Sequence, residues 1–251
     1  MSDFVTAKDG TKIAYEVQGD GLPVVLVHGF GSSRAINWKN TGWYQTLARA
    51  QHRVIALDCR GHGESGKPHN TAAYEEGSMA MDIAAVLDGL GIPMADVMGY
   101  SMGAYLTIRL MRDAPTRVRR AVLGGIGESN YRVSPRWAES IADGLLASDP
   151  KAIVDLQARQ FRTFCERAGN DLTALAACIR RPRRSLDAGE LRRLPQKVLL
   201  VCGAEDDLAG SPQSLAAEFA QGRAVIVPRC NHHSTVGVRA YKEAVVEFLS
   251  G

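Results

Sequence analysis

Apolar residues along this chain fall into short β-branched runs separated by longer stretches of helical period. Pro23-Val24-Val25-Leu26-Val27 is a continuous run, the signature of a strand buried on both faces of a parallel sheet. Similar runs lie at Arg53–Leu57, Ala95–Gly99 and Arg120–Gly124, and later at Lys197–Cys202 and Arg223–Val227. Lys12–Val17 alternates weakly and fits an edge strand. Helical patterns separate them at Tyr44–Ala50, Ser78–Leu90, Met102–Arg112, Ser214–Ala220 and Ala240–Phe248. In Ser78–Leu90 the residues Met79, Ile83, Val86, Leu87 and Leu90 share one helix face. Strands alternating with helices of this length predict βαβ units and a mostly parallel sheet.

One interval breaks the alternation. Between Gly125 and Arg193 no strand is predicted, only helical stretches near Arg136–Leu146, Ile153–Phe164 and Leu172–Ile179. A connection that long is expected to be a functional lid rather than a simple crossover. Its apolar stripes, Ile141, Leu145 and Leu146 on one helix and Ile153, Leu156, Phe161 and Phe164 on the next, should cover something apolar. Trp137 and Phe164 are the candidates for contact with substrate there. No linker or repeat divides the chain, so residues 1–251 read as one domain with an insertion at about 127–192.

Composition narrows the function classes. With 30 Lys+Arg against 27 Asp+Glu, the formal charge of +3 argues against a nucleic-acid or membrane-surface partner. No apolar run approaches the roughly 20 residues that a membrane helix needs. The start, Met1-Ser2-Asp3-Phe4, has no signal-peptide pattern. Five scattered cysteines without a C-x-x-C pair read as reduced thiols of a cytoplasmic protein, not as disulfides or a metal site. Neither a metal nor a cofactor is expected.

The informative stretch is Gly99-Tyr100-Ser101-Met102-Gly103, a G-x-S-x-G placed between an apolar strand and a helical pattern. A sharp turn there would hold the serine in a strained conformation with its hydroxyl clear of the sheet. A serine needs a base. Of six histidines, His28 reads as a structural turn residue and His62, in Asp58-Cys59-Arg60-Gly61-His62-Gly63-Glu64-Ser65, as part of a hydrogen-bonded loop buttress. His52 and His69 have surface-loop surroundings. Cys230-Asn231-His232-His233 follows the last strand, where an open α/β sheet places its functional groups; composition does not choose between the two histidines. The acid should come from Glu205-Asp206-Asp207, after another strand. The turn His28-Gly29-Phe30-Gly31 can offer the Phe30 N–H as half of an oxyanion hole, with the Met102 N–H as the other half. The cluster Arg180-Arg181-Pro182-Arg183-Arg184 reads first as a solvated face or as partners for Asp187 and Glu190, second as a patch that steers acidic substrates. Trp38 and Trp43 read first as packing residues.

Taken together, His28-Gly29-Phe30-Gly31, Arg60-Gly61-His62-Gly63-Glu64-Ser65, Gly99-Tyr100-Ser101-Met102-Gly103 and Gly203-Ala204-Glu205-Asp206 with a late histidine resemble the α/β-hydrolase superfamily over nearly the whole chain. The resemblance implies an α/β fold with a mostly parallel eight-stranded sheet flanked by helices and a helical cap between strands six and seven. It maps the acid onto Asp206, with Asp207 as fallback, and the base onto His232. Dehalogenases and epoxide hydrolases of this fold carry an aspartate at the elbow, so Ser101 sets those chemistries aside. Gly31 stands where cofactor-free perhydrolases often have proline. The implied activity is a serine hydrolase acting on a carboxylic ester, thioester or lactone of a small molecule, with water as co-substrate. A carbon–carbon bond hydrolase, or a non-hydrolytic lyase or ligand sensor, is the alternative.

Overall fold

The computed structural model describes residues 2–131 and 134–251, without the side chains of Asn130 and Tyr131. In chain order the first half runs β1 (Asp3–Thr6), β2 (Lys12–Gln18), β3 (Leu22–Val27), α1 (Trp43–Arg49), β4 (His52–Leu57), α2 (Glu76–Gly89), β5 (Ala95–Tyr100), α3 (Met102–Asp113) and β6 (Val118–Gly124). Four helices follow, α4 (Pro135–Leu146), α5 (Leu156–Arg167), α6 (Leu172–Arg180) and α7 (Ala188–Arg192). The chain closes with β7 (Lys197–Gly203), α8 (Pro212–Ala216), β8 (Gly222–Val227) and α9 (Arg239–Ser250). The strands form one sheet of eight in the order β1-β2-β4-β3-β5-β6-β7-β8. The pairs β1/β2 and β2/β4 are antiparallel and all the others are parallel.

The unbroken apolar runs are explained by burial on both faces. In β3, Val25 and Val27 join one core with Ile83 and Leu87 of α2 and Leu106 of α3. Val24 and Leu26 point the other way, to Tyr44 and Leu47 of α1 and Val245 and Leu249 of α9. A strand that meets helices on both sides cannot alternate apolar with polar. A third, smaller core lies inside the insertion, built from Ile141, Leu145, Cys165, Leu175 and Ile179.

Several local expectations change. β1 escapes the sequence pattern because it is an edge strand with one partner; its Phe4 is exposed and only Val5 packs against the core. The second insertion helix begins at Leu156 rather than Ile153, because the Asp155 side chain accepts the Ala158 N–H at 2.9 Å and caps it. Leu146 and Leu156 do not extend the apolar stripes: they are 45% and 66% exposed, on the outer faces of their helices. His52 is buried at the start of β4, not in a surface loop, and burial lowers its pKa.

Arg162 closes the insertion. Its Nη1 donates to the carbonyls of Gly144, Leu145 and Ala147 at 3.1, 2.8 and 2.9 Å, satisfying the open end of α4. Among the described residues no helix is long and apolar enough to cross a membrane.

Candidate active site

The strand-to-helix turn at Ser101 is strained. β5 is buried along its whole length and passes directly into α3, and Ser101 between them has φ 52° and ψ −112°. This backbone costs free energy at a non-glycine residue and persists because both flanking elements fix it. The motif glycines make the turn possible by close approach. A Cβ on Gly99 would stand 2.2 Å from the Gly103 carbonyl oxygen, and one on Gly103 would stand 2.1 Å from the Val27 carbonyl oxygen. The Ser101 N–H is tied to the Gly124 carbonyl at 2.8 Å. The turn is thus clamped between β3 and β6.

The loop after β3 lies against it, and its Gly29 and Gly31 peptides are held by side chains. Asn37 Oδ1 accepts the Gly29 N–H at 3.0 Å, and His62 Nε2 accepts the Gly31 N–H at 3.0 Å. The Gly31 carbonyl accepts from Asn170 Nδ2, in the insertion, at 2.7 Å. Gly31 itself has φ +71°, a value closed to proline. His28 is equally fixed: the Cys59 N–H donates to Nε2 at 2.9 Å and Nδ1 donates to the Gly29 carbonyl at 2.8 Å. In His62, Nδ1 donates to the Arg60 carbonyl at 2.9 Å. Accepting at Nε2 requires both rings to be neutral. Burial lowers both pKa values, helped at His62 by the neighbouring His28. Among the described residues, the N–H groups of Phe30 and Met102 find no acceptor in the protein, and both residues line the same cavity as Ser101.

At the end of β7 the three carboxylates separate. Glu205 and Asp207 are exposed and Asp206 is buried. Both Asp206 oxygens lie 2.9 Å from His232 Nδ1. Oδ1 also accepts the Leu208 and Ala209 N–H groups at 3.2 and 3.0 Å. Four interactions therefore fix one carboxylate before any substrate arrives. Tyr100 holds the histidine from the other side: its hydroxyl donates to the His232 carbonyl at 2.6 Å, with the rings 5.4 Å apart. His233 has another neighbour, Phe164, at 5.8 Å between ring centroids. Burial and His232 lower its pKa.

Ser101, His232, Phe30 and Met102 open onto one cavity of about 770 Å³. The insertion supplies its far wall, including Trp137, Phe161 and Phe164. Trp137 packs edge-on against Phe161 at 6.0 Å, and Phe161 against Phe30 at 5.9 Å. Trp38 and Trp43 are fully buried in the core beneath the sheet and do not reach it.

The basic cluster is not a solvated face. Arg184 is paired with Glu190 away from the cavity, whereas Arg180, Arg181 and Arg183 all line it, Arg180 paired there with Glu139 and also with Asp143. Asp187 caps α7 by accepting the Glu190 N–H at 2.8 Å instead of pairing with an arginine. Sequence reasoning also missed Asn37 and Asn170, whose amides hold the loop after β3. Neither belongs to a local motif, since each partner is distant in the chain or on another element. Among the described residues no group of three His, Cys, Asp or Glu side chains could hold a metal ion.

The comparisons with known proteins agree on the fold. The family described as alpha/beta hydrolase fold matches residues 23–145. A 2-hydroxymuconate semialdehyde hydrolase of Pseudomonas putida is 27% identical over 238 residues, covering 87% of this chain and 83% of that protein. Identities above 30% come with shorter matched stretches in the relatives that follow. A non-heme chloroperoxidase of Streptomyces lividans is 41% identical over 124 residues, 47% of this chain and 42% of its own length. Likewise, the chain spans 53% of a Variovorax paradoxus relative that is 34% identical over 145 residues. Among solved structures, an esterase from Rhodococcus sp. superposes with a TM-score of 0.79 at 25% identity, covering 100% of this chain and 98% of that one. An enol-lactonase from Burkholderia xenovorans superposes at 0.83 with 21% identity, covering 99% of this chain and 100% of that one.

Proposed function

Because the chain belongs to the α/β-hydrolase superfamily, we propose that it is a serine hydrolase that cleaves a carboxylic ester, thioester or lactone of a small molecule through Ser101, His232 and Asp206. The observation that carries this reading is the buried Asp206 carboxylate on His232 Nδ1, beside a cavity that also holds a serine on a strained turn. A carboxylate at Nδ1 keeps the proton there and leaves the Nε2 lone pair available as a base.

The reaction follows from that placement. Ser101 Oγ bonds to the carbonyl carbon as His232 Nε2 takes the hydroxyl proton. The carbonyl oxygen becomes an oxyanion and accepts the free N–H groups of Phe30 and Met102. Collapse expels the alcohol, thiol or ring oxygen, which leaves with the proton from His232. Water then attacks the acyl-enzyme, His232 takes its proton and returns one to Ser101, and the acid departs. Asp206 stabilises the imidazolium formed in each half. Trp137 and Phe164 supply apolar surface for the acyl group, and the helical insertion, residues 127–192, acts as a cap within a single domain.

A second reading, hydrolysis of a carbon–carbon bond, is favoured by the length of the match to the 2-hydroxymuconate semialdehyde hydrolase. The test compares 4-nitrophenyl acetate with a vinylogous β-diketone substrate, using the wild type and Ser101→Ala. Ester turnover that disappears in the variant, with stoichiometric labelling of wild-type Ser101 by a phosphonate, supports the first reading. Turnover of the diketone alone supports the second.

A further inference from the structure

Among the described residues four arginines are buried, and three of them have an obvious reason to be. Arg34, 5% exposed, pairs with Asp58, Glu64 and Glu16; Arg60, 1% exposed, pairs with Asp82 and Asp9; Arg162, 9% exposed, pairs with Glu166. Arg181 is 3% exposed, and among the described residues no carboxylate lies within ion-pair distance of it. Its protein contacts are both at Cys178, where Nη1 donates to the carbonyl at 2.7 Å and to the sulfur at 3.4 Å. Nε is buried with no partner at all. A guanidinium carries five N–H donors, so most of this one is unused.

A buried cation without an anion is costly, and the penalty is relieved when an anion enters. Arg181 has a route for one, because it lines the cavity that holds Ser101 and His232. Arg183 lines the same wall, its guanidinium lying 5.1 Å above the Tyr105 ring. Burial and the repulsion of Arg181 pull the Arg183 pKa below its ordinary value, so the two charges already crowd one another. Arg180, the neighbouring cation in the sequence, lines the cavity too, but it is neutralised there by Glu139 and also by Asp143. The positive end of the cavity therefore belongs to Arg181 and Arg183. A planar carboxylate matches the fork of a guanidinium through two parallel N–H···O bonds.

We propose that the cavity binds substrates that carry a free carboxylate, and that Arg181, with Arg183 beside it, recognises that group while Ser101 attacks an ester, thioester or lactone carbonyl elsewhere in the same molecule. The inference rests on the hydrolase reading for its chemistry and on Arg181 alone for the anion. Hydrolysis of such a half-ester adds one water across the acyl–oxygen bond, releasing an alcohol and a dicarboxylate, and the recognised carboxylate passes through unchanged.

The test is a charge comparison within one ester series. At neutral pH, kcat/KM for monoethyl esters of C4 to C6 dicarboxylic acids should exceed that for the matching diethyl esters by at least about 10-fold, the effect of one well-formed charge-assisted contact. O-acetyl hydroxy acids, set against ethyl acetate, show whether the carboxylate sits on the acyl or the alcohol side. In Arg181→Gln the anion-to-neutral ratio should fall to near one, and Arg181→Lys should retain part of it. A wild-type ratio near one in both series overturns the proposal, as does a ratio that survives in Arg181→Gln. If no ester is turned over, the hydrolase reading fails by itself, and calorimetry with glutarate decides the anion site. Glutarate binding weakened about 10-fold or more in Arg181→Gln sustains it, and no binding to the wild type overturns it.

Discussion

The two sides of the cavity are built by different means. On the sheet side, each group is held through backbone. Ser101 is pinned between Gly124 and α3, Asp206 by two peptide N–H groups, and the Gly29 and Gly31 peptides by Asn37 and His62. Across the cavity, the insertion has its own small core and presents side chains, chiefly aromatic rings in edge-to-face contact and inward-turned arginines. Positions fixed by backbone hydrogen bonds tolerate little change. Positions set by side-chain packing can vary without moving the sheet. The difference suggests a division of labour: chemistry on the sheet, selection on the insertion.

The largest expected effect is on the sheet side. Asp206→Asn should lower kcat by about four orders of magnitude at an unchanged melting temperature, because the amide favours the wrong tautomer of His232. Asp207→Asn, altering an exposed carboxylate, should change steady-state rates only slightly. Equal losses from both would mean that the backbone-held carboxylate has no special part.

Next comes the insertion. Phe164→Ala and Trp137→Ala should shift the ratio of kcat/KM between short and long acyl esters by about 10-fold or more, within the range of about 1–3 kcal/mol for a lost apolar contact. Phosphonate titration of Ser101 should stay stoichiometric in both. Several such variants with the wild-type chain-length ratio would remove selection from the insertion.

Stability against pH sharpens the contrast further. His28 and His62 stay neutral in the folded protein because burial pulls them below their ordinary value of 6.5. In the unfolded chain each takes up a proton below about that pH. The unfolded state therefore binds more protons, and stability falls as pH drops below about 6.5, by up to roughly 1.4 kcal/mol per pH unit for each histidine until its folded pKa is reached. Urea unfolding at pH 7.5, 6.0 and 5.0 measures the slope, to which the lowered His52 and His233 also add, and His62→Gln should remove one histidine's share of it. A slope unaltered in that variant would show that His62 titrates alike in both states.

The smallest effect should arise where the two sides meet. Asn170→Ala deletes the hydrogen bond from the insertion to the Gly31 carbonyl, worth about 1 kcal/mol, so kcat should fall by roughly 5-fold. KM for neutral short esters should barely move. A drop in binding without one in kcat would place Asn170 in selection rather than in positioning the loop after β3.

How far the sequence reached depended on whether a feature was local. The strand at Val24–Val27, the elbow at Gly99–Gly103 and the late histidine pair follow from neighbouring residues, because burial on two faces, a tight turn and a strand-end loop each leave a short-range signature. β1 left none, since an edge strand with one partner need not alternate. Similarly, the RRPRR segment read as surface because charge runs usually are solvated. Only the packing of the insertion shows that Arg180 and Arg184 meet carboxylates while Arg181 lines the cavity with no carboxylate beside it among the described residues.

Residue by residue, the chain itself determined the α/β alternation, the long helical interval and the serine between its glycines. Apolar periodicity and close backbone approach are properties of adjacent positions. Periodicity and spacing left open which of Glu205, Asp206 and Asp207 meets a histidine, and which histidine; the family resemblance pointed to Asp206 and His232, and the tertiary structure brings those two side chains together. It also decided that Asn170 reaches back to Gly31, and that among the described residues no carboxylate meets the buried Arg181. These outcomes depend on where strand ends and helix faces converge in space, and contacts between residues tens of positions apart have no period for a sequence to display.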